Sequence, residues 1–212
     1  VGKQNILSIL QLLKNDSDFE FYCLVDNKDN ALELNKHCLD KGVKLAVLIE
    51  MAPSQGRAGL RYEEDIISLA QFIHTQCPAL TLSGIECYEG VIHCANPVPE
   101  VDKFLSFVSS MSVQLEHLGL FEAEKLILSG GGTVFFDRVC EILGKTSLKN
   151  QFELLIRPGC YISHDSGIYD EFQDQLLERD SLSKKIESKL ESAIKIYSYI
   201  QSIPEPGLAI LN

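Results

Sequence analysis

At 212 residues and 23.7 kDa, with 45% apolar and 23% charged residues, the chain has the composition of one elaborated globular domain or two compact ones. Disordered, collagen-like and disulfide-scaffold classes are excluded. Nineteen Lys and Arg against thirty Asp and Glu leave a net charge of −11 and a pI near 4.9, the wrong sign for a nucleic-acid backbone or an anionic bilayer. Neither is expected as a partner. Apolar runs such as residues 45–49 fall far short of the ~20 residues that a membrane helix needs, and a soluble, cytoplasmic protein is expected. The seven cysteines, at 23, 38, 77, 87, 94, 140 and 160, form no CxxC pair and read as reduced thiols. No two histidines stand at metal-ligand spacing, so no metal is assigned.

The chain opens on a helix over residues 6–13 with no strand before it. Short apolar runs then alternate with amphipathic stretches, the pattern of βα units around a parallel sheet. Strands are predicted at 21–25, 44–49, 79–85, 125–128 and 152–156. Helices are predicted at 31–42, closed by Gly42, and at 62–75, 101–118 and 134–143. A last helix, rich in Lys, Glu and Ser, is expected over 182–202, and residues 207–211 read as the start of a further strand. Five parallel strands between an orphan helix and an orphan strand suit part of a (β/α)₈ barrel, which needs eight. A self-contained doubly wound α/β sheet is the competing reading.

Polar and glycine residues collect after the strands. Glu50 and Ser-Gln-Gly-Arg-Ala-Gly (54–59) follow the second, and Glu-Cys-Tyr-Glu-Gly (86–90) the third. Ser-Gly-Gly-Gly-Thr (129–133) follows the fourth, and Arg-Pro-Gly-Cys-Tyr (157–161) the fifth. In a parallel sheet all four lie at the carboxyl end, where α/β proteins bind ligands. The Ser129–Thr133 run can turn several N–H groups toward an anion, and phosphate is the natural guest. It is neither a P-loop nor a GxGxxG fingerprint, and a plain βα turn is the alternative. Arg57 and Arg157 read either as solvated cations or as ligand contacts, and Tyr88 as a platform for a flat ring or a lid on the core. His37, His74 and His117 fall on helices, whereas His93 and His164 lie near the rim.

In this order, Gln-Gly-Arg-Ala-Gly (55–59), Gly-Ile-Glu-Cys-Tyr-Glu-Gly (84–90), Ser-Gly-Gly-Gly-Thr (129–133) and Arg-Pro-Gly-Cys-Tyr-Ile-Ser-His-Asp (157–165) resemble a known family. It is that of the pyridoxal-phosphate (PLP) enzymes of the alanine-racemase-like (fold type III) barrel. The likeness is greatest to the D-serine dehydratase, D-threonine aldolase and amino acid deaminase branch, and residues 201–211 also resemble the deaminase-like members. The resemblance implies PLP as cofactor, a small-molecule D-amino acid as substrate, handled by dehydratase, deaminase or aldolase (lyase) chemistry, and a homodimer as the assembly. It implies that Arg57 contacts the cofactor's phenolic oxygen and Tyr88 lies against its ring. It gives the phosphate to Gly131, Gly132 and Thr133 with the amides of Gly159 and Cys160, and sets Arg157 at the pyridine edge. A cation there disfavours protonating the ring nitrogen.

One family feature has no counterpart. The Schiff-base lysine of the first barrel strand is matched by no segment, since Lys3 opens a helix and Lys44 starts a strand at the wrong end, so no catalytic residue is identified. The reading is therefore of a partial barrel over residues 1–203, lacking its N-terminal strands and inactive by itself, with 204–212 opening a truncated C-terminal β domain. The alternative is a non-catalytic α/β protein that binds PLP or another phosphate compound.

Overall fold

A computed structural model describes residues 2–54, 56–179 and 190–212. Helix α1 (Lys3–Asn15) leads into strand β1 (Tyr22–Val25), and the βα alternation then runs through α2 (Lys28–Lys41), β2 (Leu45–Met51), α3 (Glu63–Gln76) and β3 (Leu80–Cys87). It continues with α4 (Pro97–His117), β4 (Lys125–Gly130), α5 (Phe136–Ile142), β5 (Gln151–Ile156) and α6 (Ile168–Glu178). Local chemistry marks the helix ends. The Asn27 side chain accepts the Asn30 N–H at 2.8 Å to cap α2, and Gly42, at φ 65°, closes it as expected. Glu63, Glu64 and Asp65 put negative charge on the first turn of α3, and Pro97 begins α4.

The five strands are parallel and stand in the order β1-β2-β3-β4-β5. This order decides between the two architectures. A doubly wound sheet reverses direction at a switch point and so carries helices on both faces. Here the strand order never reverses, so crossovers of the usual right hand put their helices on one side, and α1 to α5 pack in succession against their neighbours. The fold is α/β, a five-stranded partial TIM-type barrel.

Strand residues divide accordingly. Cys23, Val25, Val47, Ile49, Leu82, Ile85 and Leu128 join Leu34, Ile66, Leu69, Ile73, Leu105, Val108 and Leu115 in the core under the helices. The opposite face carries Leu24, Leu48, Glu50, Ser83, Glu86, Ile127 and Leu155, with Leu24 and Leu155 exposed on the edge strands. A β-bulge controls this division on β3. Val47 pairs with Leu82 but Leu48 pairs with Gly84, so the extra residue turns Ile85 and Cys87 toward the helices and Glu86 toward the open face.

Two elements differ from expectation. Helix α6 falls in a stretch with no predicted element. It is started by Asp165, whose Oδ1 accepts the Gly167 and Tyr169 N–H groups at 2.8 and 3.2 Å. The helix expected over 182–202 lies partly outside the described residues, and where it is described it is not a helix. Residues 190–199 have no regular structure, and β6 (Ile200–Glu205) pairs antiparallel with β7 (Leu208–Leu211). Ile194, Ile196, Tyr197, Tyr199 and Ile200 favour extended backbone, and Pro206-Gly207, with Gly207 at φ 85°, makes the turn. The hairpin crosses the expected boundary between residues 203 and 204.

Candidate functional site

The carboxyl end of the sheet brings the segments after β2, β3, β4 and β5 together. Glu50 and Glu86 are direct register partners on adjacent strands, and Ser129 is the partner of Glu86 on its other side. Parallel strands about 4.8 Å apart thus set two carboxylates side by side on one face. Across from them Arg157, just past β5, donates from Nη2 to Glu86 Oε1 and, at 3.0 Å, to the Cys87 carbonyl. Its own N–H donates to the Gly131 carbonyl at 2.8 Å, which ties the fifth loop to the fourth.

The pair is asymmetric in exposure. The Arg157 side chain is 45% exposed and that of Glu86 only 4%, so the carboxylate is an interior anchor and the guanidinium reaches the rim. Burial pushes the Glu86 carboxyl up to about 7; Arg157 pulls it back, while Glu50 and Glu89 reinforce the rise. Glu50 is likewise raised, by desolvation and by Asp26, against the pull of Arg157 and Arg57.

The amides expected to meet an anion do meet one, and it belongs to the protein. The carboxylate of Glu89, fully buried, accepts the Gly131 N–H at 3.1 Å and the Gly132 N–H at 2.9 Å. Burial raises its pKa, and the amides that surround it oppose the rise. The Gly159 N–H is also engaged, donating to the Arg157 carbonyl at 2.8 Å. Of the predicted phosphate residues, Thr133 and Cys160 stand apart from these internal bonds. The helix expected to begin at residue 134 begins instead at Phe136 and has seven residues, so the turn at 133–135 separates the glycines from it.

Tyr88 links the loops. A Cβ on Gly132 would come 2.8 Å from Tyr88 Cε2, so the ring rests on a surface that only glycine leaves open. Tyr88 also shares with Arg57, Glu50, Gly56 and Val91 the wall of a cavity of about 310 Å³. The Tyr169 hydroxyl is pushed up to about 12 by interaction with the Cys160 side chain first and by burial next, with Tyr88 and Asp165 adding to the rise. Beyond Thr133 a more apolar cavity of about 520 Å³ opens between α5, α6 and the loop after β5, with Pro158, Tyr161 and His164 in its wall.

Arg57, Tyr88, Gly131, Gly132, Thr133, Arg157, Gly159 and Cys160 thus all lie on loops at one end of the sheet, and the network among them runs through two residues not singled out from the sequence, Glu86 and Glu89. Lys44 precedes β2 at the opposite end and Lys3 begins α1. Of the histidines, His37 is buried on α2 and His74 bonds Glu122 at 3.0 Å, while His164 is buried and bonds Asp170 at 2.9 Å. All seven cysteines are free. Among the described residues no helix is long and apolar enough to cross a membrane.

A one-way parallel sheet with its polar loops at the carboxyl end is a partial (β/α) barrel, the architecture in which these loops carry the ligand sites of known enzymes. Solved structures with this fold include D-threonine aldolase from Filomicrobium marinum, at 19% identity and a TM-score of 0.65, matched over 100% of this chain and 51% of that one. Alanine racemase of Clostridium difficile 630 is matched at 13% identity and a TM-score of 0.53, over 80% of this chain and 40% of that one. PipY of Synechococcus elongatus PCC7942, in a structure with PLP bound, is matched at 11% identity and a TM-score of 0.50, over 73% of this chain and 64% of that one. The chain spans about half the length of the aldolase. These likenesses define the fold as that of the alanine-racemase-type barrel. No protein-family profile and no curated protein sequence matches the chain.

Proposed function

We propose that the chain forms the cofactor-holding wall of a PLP-dependent enzyme that acts on D-amino acids by dehydratase, deaminase or aldolase chemistry. The observation that carries this reading is the meeting of Arg57, Tyr88, Thr133, Arg157 and Cys160 at one end of a sheet whose fold runs the whole length of this chain in a D-threonine aldolase. PLP bound there would supply electron withdrawal from the substrate's α-carbon.

The residues present fit such a group in a particular way. Tyr88 offers a ring face fixed against Gly132, and Arg57 lines the same cavity, suited to an oxyanion on a flat ligand. Arg157 presents the outer part of its guanidinium at the rim while Glu86 holds the inner part. With the amides of Gly131, Gly132 and Gly159 committed inside the protein, the phosphate contact falls to Thr133 and Cys160. With Lys44 at the opposite end of the sheet and Lys3 on α1, a second reading is a non-catalytic protein that binds PLP or another phosphate compound.

Equilibrium titration of the full chain with PLP, followed by its absorbance, separates these readings when combined with a product assay on D- and L-serine and D- and L-threonine. From the protein isolated from its source, saturable binding with 2-oxo acid and ammonia, or aldehyde and glycine, formed from the D-isomers alone is the expected result, whereas residues 1–212 by themselves should bind without turnover. Saturable binding without turnover by the source protein selects the non-catalytic reading. No binding at PLP concentrations up to about 1 mM, the weak end of the specific range, overturns both.

A further inference from the structure

The Glu86 carboxylate is held unequally. Oε1 accepts from Arg157, whereas Oε2 is buried and has no hydrogen-bond partner among the described residues. Around it stand Arg157 from the loop after β5, Glu50 in register on β2, Ser129 in register on β4, and Glu89 on its own loop; Asp26 and Arg57 act on Glu50 in turn. Glu86 alone therefore touches the guanidinium, while Glu50 and Glu89 stand close enough to both to act through charge. An ionised Glu86 is stabilised by that guanidinium alone, and it is opposed by Glu50, by Glu89 and by loss of water. A protonated Glu86 keeps a carbonyl oxygen for Arg157, which also retains its bond to the Cys87 carbonyl.

We propose that Glu86 is a positioning residue that works as a proton-controlled counter-charge: ionised, it holds Arg157 in a neutral pair, and protonated, it leaves Arg157 a full cation toward an anionic ligand at the rim. This rests on the reading of Arg157 as a ligand contact. Because the tether survives protonation, the proton changes the charge at the site more than its shape. Anionic ligands are therefore bound more tightly at low pH. The carboxyl lies at about 7 against an ordinary value of 4.5, which places the change near neutrality. The sign for folding agrees. The native state keeps this proton where the unfolded chain has released it, so stability contributed by Glu86 is present below the ordinary value and lost as pH rises toward 7.

The test has two parts. In the full chain labelled with ¹³C at glutamate carboxyls, the resonance removed by Glu86→Gln should titrate near pH 7 without ligand; a midpoint in the ordinary carboxylate range overturns the proposal. PLP affinity is then compared at pH 6 and 8 in wild type and Glu86→Gln, which cancels titration of the ligand's own phosphate. The wild type should lose about tenfold more affinity than the variant over this interval, as one added charge at moderate distance implies, and Glu86→Asp should restore a pH step. Parallel profiles overturn the proposal. If PLP binds neither protein, the cofactor reading fails, while the carboxyl titration still decides whether Glu86 exchanges its proton.

Discussion

Gly84→Ala destabilises the fold by about 3–5 kcal/mol, the sum of severe overpacking and an unfavourable positive φ. A Cβ at this position would lie 1.9 Å from the carbonyl oxygen of Ile127, a backbone atom of the neighbouring strand that has no rotamer to yield. The backbone there has φ 149°, which L side chains rarely adopt. The effect reaches the site as well as the core, because this glycine completes the bulge that turns Glu86 to the open face and sets it beside Glu50. Urea unfolding followed by circular dichroism measures the loss. Gly144→Ala is the control, since its nearest neighbour would be Leu154 Cδ2 at an ordinary 3.6 Å. Equal effects of about 1 kcal/mol or less at both positions would contradict the bulge as the element that sets the register.

Arg179→Ala costs about 3 kcal/mol, near the range for breaking a buried ion pair. At the end of α6, Arg179 donates from Nη1 to Asp137 at 2.9 Å and to the Val134 carbonyl at 2.8 Å, and its guanidinium lies 4.8 Å from the centre of the Phe135 ring. Asp137 is completely buried on α5, so the substitution removes its guanidinium counter-charge along with the cation over the ring. Helix α6 closes one side of the cavity beyond Thr133, so the same variant should speed backbone hydrogen exchange over residues 168–178 before it affects β2 or β3. A change in stability below about 0.5 kcal/mol, the ordinary scatter of surface substitutions, would show that this clamp does not hold the helix.

Much of the fold was legible because each βα unit carries its own signal. Leu45 to Ile49 is apolar without alternation, as suits a strand covered on both faces, and Ile66, Leu69, Ala70 and Ile73 repeat at helical spacing. The order of the strands was not legible, since pattern alone is the same for a barrel and a doubly wound sheet. Helix α6 had a stripe at Tyr169, Phe172, Leu176 and Leu177, but Gln173, which is buried, interrupts it. Residues 190–202 follow the Lys-, Glu- and Ser-rich run at 182–189, whose helix-like composition concealed the β-branched and aromatic residues after it.

The candidate site was legible as a set of loops, because Gly, Arg and Tyr after each strand are visible one segment at a time. The network that organises it was not. Extrapolating from the pairing of Val47 with Leu82 would put Glu50 beside Ile85 and turn Glu86 toward the helices; the extra residue in the bulge moves Glu86 into register with Glu50. The same holds for Glu89, which fills the glycine turn 42 residues away in sequence from Gly131. The ion pair between Arg157 and Glu86 was hidden for the same reason, since the two lie 71 residues apart and meet only through the strand register.

A crystal structure of the full chain grown with PLP tests the central claim most directly. The account predicts the phosphate within hydrogen-bond distance of Thr133 and Cys160, the ring against Tyr88, Arg57 near the phenolic oxygen and Arg157, still bonded to Glu86, at the ring's far edge. PLP bound away from the carboxyl end of the sheet, or a carboxyl end that stays empty at saturating cofactor, would contradict it.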